Sequence, residues 1–213
     1  MEYYIGLSMA SCSTTDTGIA VMDNFGKIIL IDKLYSMKDI QYFFDNYSSL
    51  KYSHIAVSLP WDNTMLEGKW RVLSKLYQPV KENPHILNRN NWTQRYSTRG
   101  CEYFKQLKEI GIDIYRYELY MTRQSLNLSS YFKERTPADC KFLQNALKIE
   151  YKIEDIPPNM MPMGQLEAIV GAIMMKEHVN NPDNTKKLFE FNGLDVIDFK
   201  TKIKEKSLYE NFK

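Results

Sequence analysis

At 213 residues, with 44% hydrophobic and 25% charged side chains, the chain suits one globular domain, or one domain with an insertion, that buries a substantial core. Its longest apolar run near the C-terminus, Ala168 to Met175, is far too short to cross a bilayer, and Met1-Glu-Tyr-Tyr-Ile enters a strand-like segment directly, with no secretory leader pattern. A net charge of +2 does not by itself mark a nucleic-acid binder, and three cysteines without paired spacing (Cys12, Cys101 and Cys140) suit a reduced, cytoplasmic protein with no membrane partner.

Tyr3 to Ala10 (YYIGLSMA) reads as a buried first strand, followed by a Ser/Thr-rich loop from Ser11 to Thr17. Gly18 to Asp23 and Lys27 to Leu34 are two further apolar strands, and the short turn at Asn24-Phe25-Gly26 predicts an antiparallel hairpin. From Met37 to Tyr47 the residues Ile40, Phe43, Phe44 and Tyr47 recur at helical spacing. Ser53 to Leu59 is a continuous apolar run stopped by Pro60, the pattern of a strand at the centre of a sheet. Glu67 to Tyr77 reads as a helix, Gln78 to Trp92 as a Pro- and Asn-rich loop or insertion, and Thr98 to Ile110 as a second helix stopped by Gly111. Ile112 to Tyr120 (IDIYRYELY) alternates and reads as a strand. Pro137 to Leu147 begins a helix with Pro in its first turn, and Pro157 to Pro162 is a break. Gly164 to His178, apolar on nearly every side, is a well-buried helix. Asn192-Gly193 suggests a hairpin within Lys187 to Phe199, and the lysine-rich end beyond it is expected to fray.

This order predicts an α/β domain over residues 1–180. Its mixed five-stranded sheet, an antiparallel three-strand meander plus parallel strands, is flanked by helices, with a loop or insertion near residues 78–97. Residues 181–213 form a C-terminal hairpin and lysine-rich tail. All seven arginines (Arg71, Arg89, Arg95, Arg99, Arg116, Arg123 and Arg135) fall in the middle of the chain. Between Lys69 and Lys141 there are 14 Lys or Arg against 7 Asp or Glu, which leaves the remainder of the chain net acidic. Arginine matches phosphate oxygens bidentately, so this segment is a candidate phosphate-facing surface; an ordinary solvated surface explains the same excess.

Five local patterns in this order resemble the RNase H-like superfamily. They are Gly6-Leu7-Ser8, Thr17-Gly18-Ile19-Ala20-Val21, Ile55 to Pro60 followed by Glu67-Gly68-Lys69-Trp70-Arg71, Tyr117-Glu118-Leu119-Tyr120, and Gln165-Leu166-Glu167-Ala168-Ile169. Within the superfamily the chain resembles a family of predicted RNase H-like nucleases, once described as a domain of unknown function, over roughly residues 3 to 178. The resemblance implies four acidic positions. Two are kept, as Glu118 and Glu167, and two are degenerate, as Ser8 and Ser58.

The implied activity is hydrolysis of DNA or RNA phosphodiesters by divalent metal, Mg²⁺ or Mn²⁺, which stabilises the attacking and leaving oxygens at phosphorus. Carboxylate oxygens suit such hard ions, whereas a serine hydroxyl is neutral and coordinates weakly. Glu118 and Glu167 are therefore the candidate catalytic and metal-binding residues of a weakened site. Asp16, in the loop after the first strand, and Asp62, just past Pro60, are candidate replacement ligands, or simply loop residues that cap turns. Glu167 sits among apolar neighbours, so it either faces a polar cleft or pairs on the surface; Glu118 is equally compatible with an exposed strand position. Lys69 and Arg71 beside Trp70, and Arg95 and Arg99 beside Tyr96, are candidate phosphate contacts, or solvated helix faces around one buried aromatic.

The three histidines and three cysteines lack metal-site spacing, and no G-x-S-x-G elbow, P-loop or dinucleotide fingerprint occurs. Two functions remain in competition. One is a metal-dependent nuclease, and the other a non-catalytic module that binds nucleic acid or protein on the same scaffold. A phosphotransferase of the actin and sugar-kinase type would explain the Ser/Thr loop, but 213 residues do not supply its two full domains.

Overall fold

The first apolar runs form the expected meander: β1 (Tyr3–Ser8), β2 (Thr17–Asp23) and β3 (Ile28–Leu34), each antiparallel to the next. The β2–β3 turn is held by Asp23, whose Oδ1 accepts from the amides of Phe25 and Lys27, both at 2.9 Å. Gly26 supplies the left-handed backbone there, with φ +91°. The chain is described here from a computed structural model, over residues 2–10, 15–59, 84–133, 135–191 and 193–200. The helix expected from Glu67 to Tyr77 lies outside the described residues.

Helix α1 (Met37–Asn46) opens with a capping box. Ser36 Oγ accepts from the Asp39 amide, and Asp39 Oδ2 accepts from the Ser36 amide. Strand β4 (Ser53–Ser58) lies parallel to β1 at the middle of the sheet, as its unbroken apolar run predicts. Helix α2 runs from Pro84 to Glu109, so the expected loop is corrected: Pro84 to Trp92 is helical. Proline in a first turn lacks only an amide that would have no intrahelical partner, and the weak helix propensity of asparagine is overridden by context.

A second correction follows β5. The strand covers only Asp113–Tyr117, and the chain then turns into α3 (Leu119–Ser125). Leu119, Thr122 and Arg123 are buried at i, i+3 and i+4, a helical stripe that the alternation of Tyr117 to Tyr120 had masked. Helices α4 (Pro137–Glu150) and α5 (Met163–Asn180) follow as expected, then β6 (Thr185–Phe191) and β7 (Leu194–Phe199).

The sheet has seven strands rather than five, in the order β3-β2-β1-β4-β5-β7-β6. The C-terminal hairpin joins the main sheet, with Arg116 opposite Val196 and Tyr117 opposite Ile197 in a parallel β5–β7 ladder. Leu194, Val196, Ile197 and Phe199 are all buried there. Their local pattern specifies a hairpin, whereas the edge it joins depends on a long-range pairing that no local signal carries.

Alternation along the strands divides the core in two. Ile5, Leu7, Ile19, Val21, Ile55 and Val57 face α1 and α2 through Phe44 and Phe104. Tyr4, Ala20, Ala56 and Tyr117 face α4 and α5 through Leu143, Leu166 and Ile169. Cys101 and Cys140 belong to opposite layers, so the sheet itself separates the two thiols. Helix α5 lies directly on β1 because Gly6 has no side chain: a Cβ there would overlap the Ala168 carbonyl and the Ala172 amide. Among the described residues no helix is long and apolar enough to cross a membrane.

Candidate functional site

Strands β1, β4 and β5 are parallel, so their C-terminal ends share one edge of the sheet. Ser8 and Ser58 are direct neighbours in the β1–β4 register, and Glu118 follows the last residue of β5. The close α5–β1 approach at Gly6 brings Glu167 over that edge. Ser8 Oγ donates to Glu167 Oε2 at 2.8 Å. The structure thus brings Ser8, Ser58 and Glu167 together and places Glu118 at the same edge.

Glu167 is completely buried, and a buried carboxylate requires a partner. Its partner is Arg135, whose Nε donates to Oε1 at 3.0 Å and whose Nη2 donates to Oε2 at 2.6 Å. Two parallel charge-assisted hydrogen bonds of this kind are among the strong contacts between an arginine and a carboxylate. Tyr117 Oη donates to the Glu167 backbone carbonyl at 2.8 Å. Burial, reinforced by the Glu167 charge, pushes the Tyr117 hydroxyl well above its ordinary pKa, so it remains a donor.

Arg135 reaches Glu167 from the loop between α3 and α4, with its own backbone in the left-handed region at φ +60°. Its amide donates to Asp139 Oδ2 at 2.9 Å. Asp139 also accepts from Arg123 Nη2 at 2.6 Å and from Ser130 Oγ at 2.7 Å. Burial alone would raise the Asp139 carboxyl, but the hydrogen bonds and charge of Arg123, with those of Ser130 and the Arg135 amide, outweigh it and hold the pKa below its usual value.

Glu118 occupies the N-cap position of α3 and is buried. Its Oε1 lies 3.0 Å from Nη2 of the fully buried Arg116, which also donates to the Leu59 carbonyl at 3.3 Å. The two glutamates are therefore held by different arginines. Asp16 pairs with Lys33 at 3.2 Å, at the wall of a cavity of about 280 Å³ that Thr15, Lys33, Arg135, Gly164 and Gln165 also line. Arg95 and Arg99 are exposed on α2, while Tyr96 between them is buried and shares a 2.8 Å hydrogen bond with Thr17 Oγ1. Asp62, Lys69 and Arg71 lie outside the described residues.

Among the described residues, the donor set at the strand ends does not suit a two-metal centre. It offers two neutral hydroxyls, Ser8 and Ser58, and two carboxylates that each already face a guanidinium. A dication at Glu167 would have to share both carboxylate oxygens with Arg135, whose positive charge opposes it. Among the described residues no three His, Cys, Asp or Glu side chains converge as metal ligands. Sequence reasoning missed Arg135, Arg116 and Tyr117. The only local signal was the spacing of Arg116 two residues before Glu118; Arg135 lies 32 residues from its partner. No protein-family model and no curated protein matches this chain.

Proposed function

We propose that this chain is an RNase H-like protein that binds nucleic acid at the strand-end edge of its sheet and does not hydrolyse it. The β3-β2-β1-β4-β5 order, with β2 antiparallel and helices on both faces, supports the RNase H-like reading. The non-hydrolytic reading is carried by a single observation: Arg135 sits side-on on Glu167 while Ser8 donates to the same carboxylate. In a metal-dependent nuclease of this fold a cation binds carboxylates at the strand ends. Here a protein side chain supplies that positive charge, and it cannot activate water. Nucleic acid is favoured as the ligand by the basic middle of the chain and by the exposure of Arg95, Arg99 and Lys133.

The test is incubation of labelled single- and double-stranded DNA and RNA with the protein, in Mn²⁺ or EDTA, alongside a binding titration. The expected outcome is salt-sensitive binding with no cleavage in either condition. Cleavage that requires Mn²⁺ and disappears in Glu167→Gln would overturn the non-hydrolytic reading and restore the nuclease.

A further inference from the structure

The described residues of the loop between α3 and α4 are tied down at several points. Leu126 and Leu128 are buried. The Leu128 amide donates to the Arg123 carbonyl at 2.7 Å, and Arg123 Nε and Nη2 donate back to the Leu128 carbonyl. Ser130 and the Arg135 amide are both fastened to Asp139, and Thr136 Oγ1 donates to the Lys133 carbonyl at 2.7 Å. At the tip of this framework Tyr131 is 85% exposed and Phe132 is 52% exposed. Two adjacent aromatic side chains thus stand at the surface of a loop that is fastened at Leu128, Ser130 and Arg135. Lys133 is exposed beside them, and Arg135 ends the same loop at the candidate site.

We infer that this loop is a stacking platform for single-stranded nucleic acid, with bases on Tyr131 and Phe132 and backbone phosphates at Lys133. The inference rests on the nucleic-acid reading of the strand-end edge and names the form of ligand it takes. Two adjacent aromatic rings beside a lysine suit a chain that carries planar bases and phosphates in alternation. A duplex keeps its base faces stacked inside and offers the rings nothing to cover. A protein partner is the weaker match, because lysine is depleted at the centre of protein interfaces.

The test is fluorescence anisotropy of the full chain with a labelled thymidine homopolymer and with a blunt duplex of the same length. The double variant Tyr131→Ala/Phe132→Ala should lose about tenfold or more in affinity for the single strand for each ring removed. Its weak duplex binding should be unchanged, and its melting temperature should fall by no more than surface substitutions allow, since Tyr131 is 85% and Phe132 52% exposed. Tyr131→Trp should keep single-strand affinity and show quenched tryptophan emission on binding, the signature of a base laid on the ring. If the single strand binds the double variant as tightly as wild type, the platform is wrong while the nucleic-acid reading stands. If neither probe binds wild type, the nucleic-acid reading falls and the platform with it. Preference for the duplex, with no quenching in Tyr131→Trp, also overturns the platform.

Discussion

Two arginine–carboxylate pairs share one stretch of chain and differ in what surrounds the arginine. In Arg123–Asp139 both side chains are almost wholly buried, and Arg123 spends its remaining donors on the Leu128 carbonyl. In Arg135–Glu167 the carboxylate is buried, but the arginine keeps a third of its side chain exposed and lines the cavity beside Lys33. The first pair shapes a loop. The second uses that loop to deliver a cation to the strand ends. The same chemistry is structural where solvent is excluded on both sides and available to a ligand where one partner stays wet.

The comparison can be broken most directly at Asp139. Asp139→Asn leaves Arg123 buried without its counter-ion, and breaking a buried pair this way costs about 3–5 kcal/mol. Chemical denaturation should show that loss; a cost near that of a surface substitution would remove the scaffold role. A smaller stability effect is expected from Arg135→Gln, because Arg135 borders the cavity and its loss would open the buried Glu167 carboxylate to water, and about 2 kcal/mol is a reasonable scale for a charged hydrogen-bonding partner. This variant also sharpens the functional contrast: Mn²⁺ should raise its melting temperature and leave wild type unchanged. Equal Mn²⁺ responses in the two proteins would show that Arg135 does not hold the cation position.

The smallest effects are in the pH dependence. The folded state binds the Asp139 proton more weakly than the unfolded chain, so this stabilisation is complete above the unfolded value of about 4. It is lost as pH falls through the lower folded value, and Asp139→Asn should flatten that acid limb in an acid-denaturation series. His178 contributes at higher pH. Burial, opposed by the Asp113 charge and aided by that of His54, holds its pKa below the ordinary value. The unfolded chain then takes up the proton first, so stability falls as pH drops below about 6.5. His178→Gln should remove that part of the profile; an unchanged slope between neutral and mildly acid pH would show that His178 is not its source.

Much of the fold was legible because its signals are local. The apolar runs of β1 to β4, the spacing of Ile40 and Phe44 in α1, and the apolar circumference of α5 each specify an element from neighbouring residues. The misreadings came where a local pattern supported two answers. Tyr117 to Tyr120 alternates like a strand and also carries the first residue of a helical stripe, and packing of Leu119, Thr122 and Arg123 decided it. The placement of β7 beside β5 was equally hidden, since its buried face fits any open sheet edge. At the candidate site, Ser8, Ser58, Glu118 and Glu167 could be placed together only through a family resemblance, and nothing adjacent to them pointed to Arg135.

By itself the sequence determined most of the element types, the alternation that divides the core into two layers, and the serines that stand at two strand ends. These depend on residues within a few positions of one another. Tertiary structure alone decided that the hairpin extends the sheet to seven strands and that Glu167 is neutralised by Arg135. Both depend on pairing across long stretches of chain, where a buried carboxylate takes whichever cation the folded backbone brings within hydrogen-bonding distance.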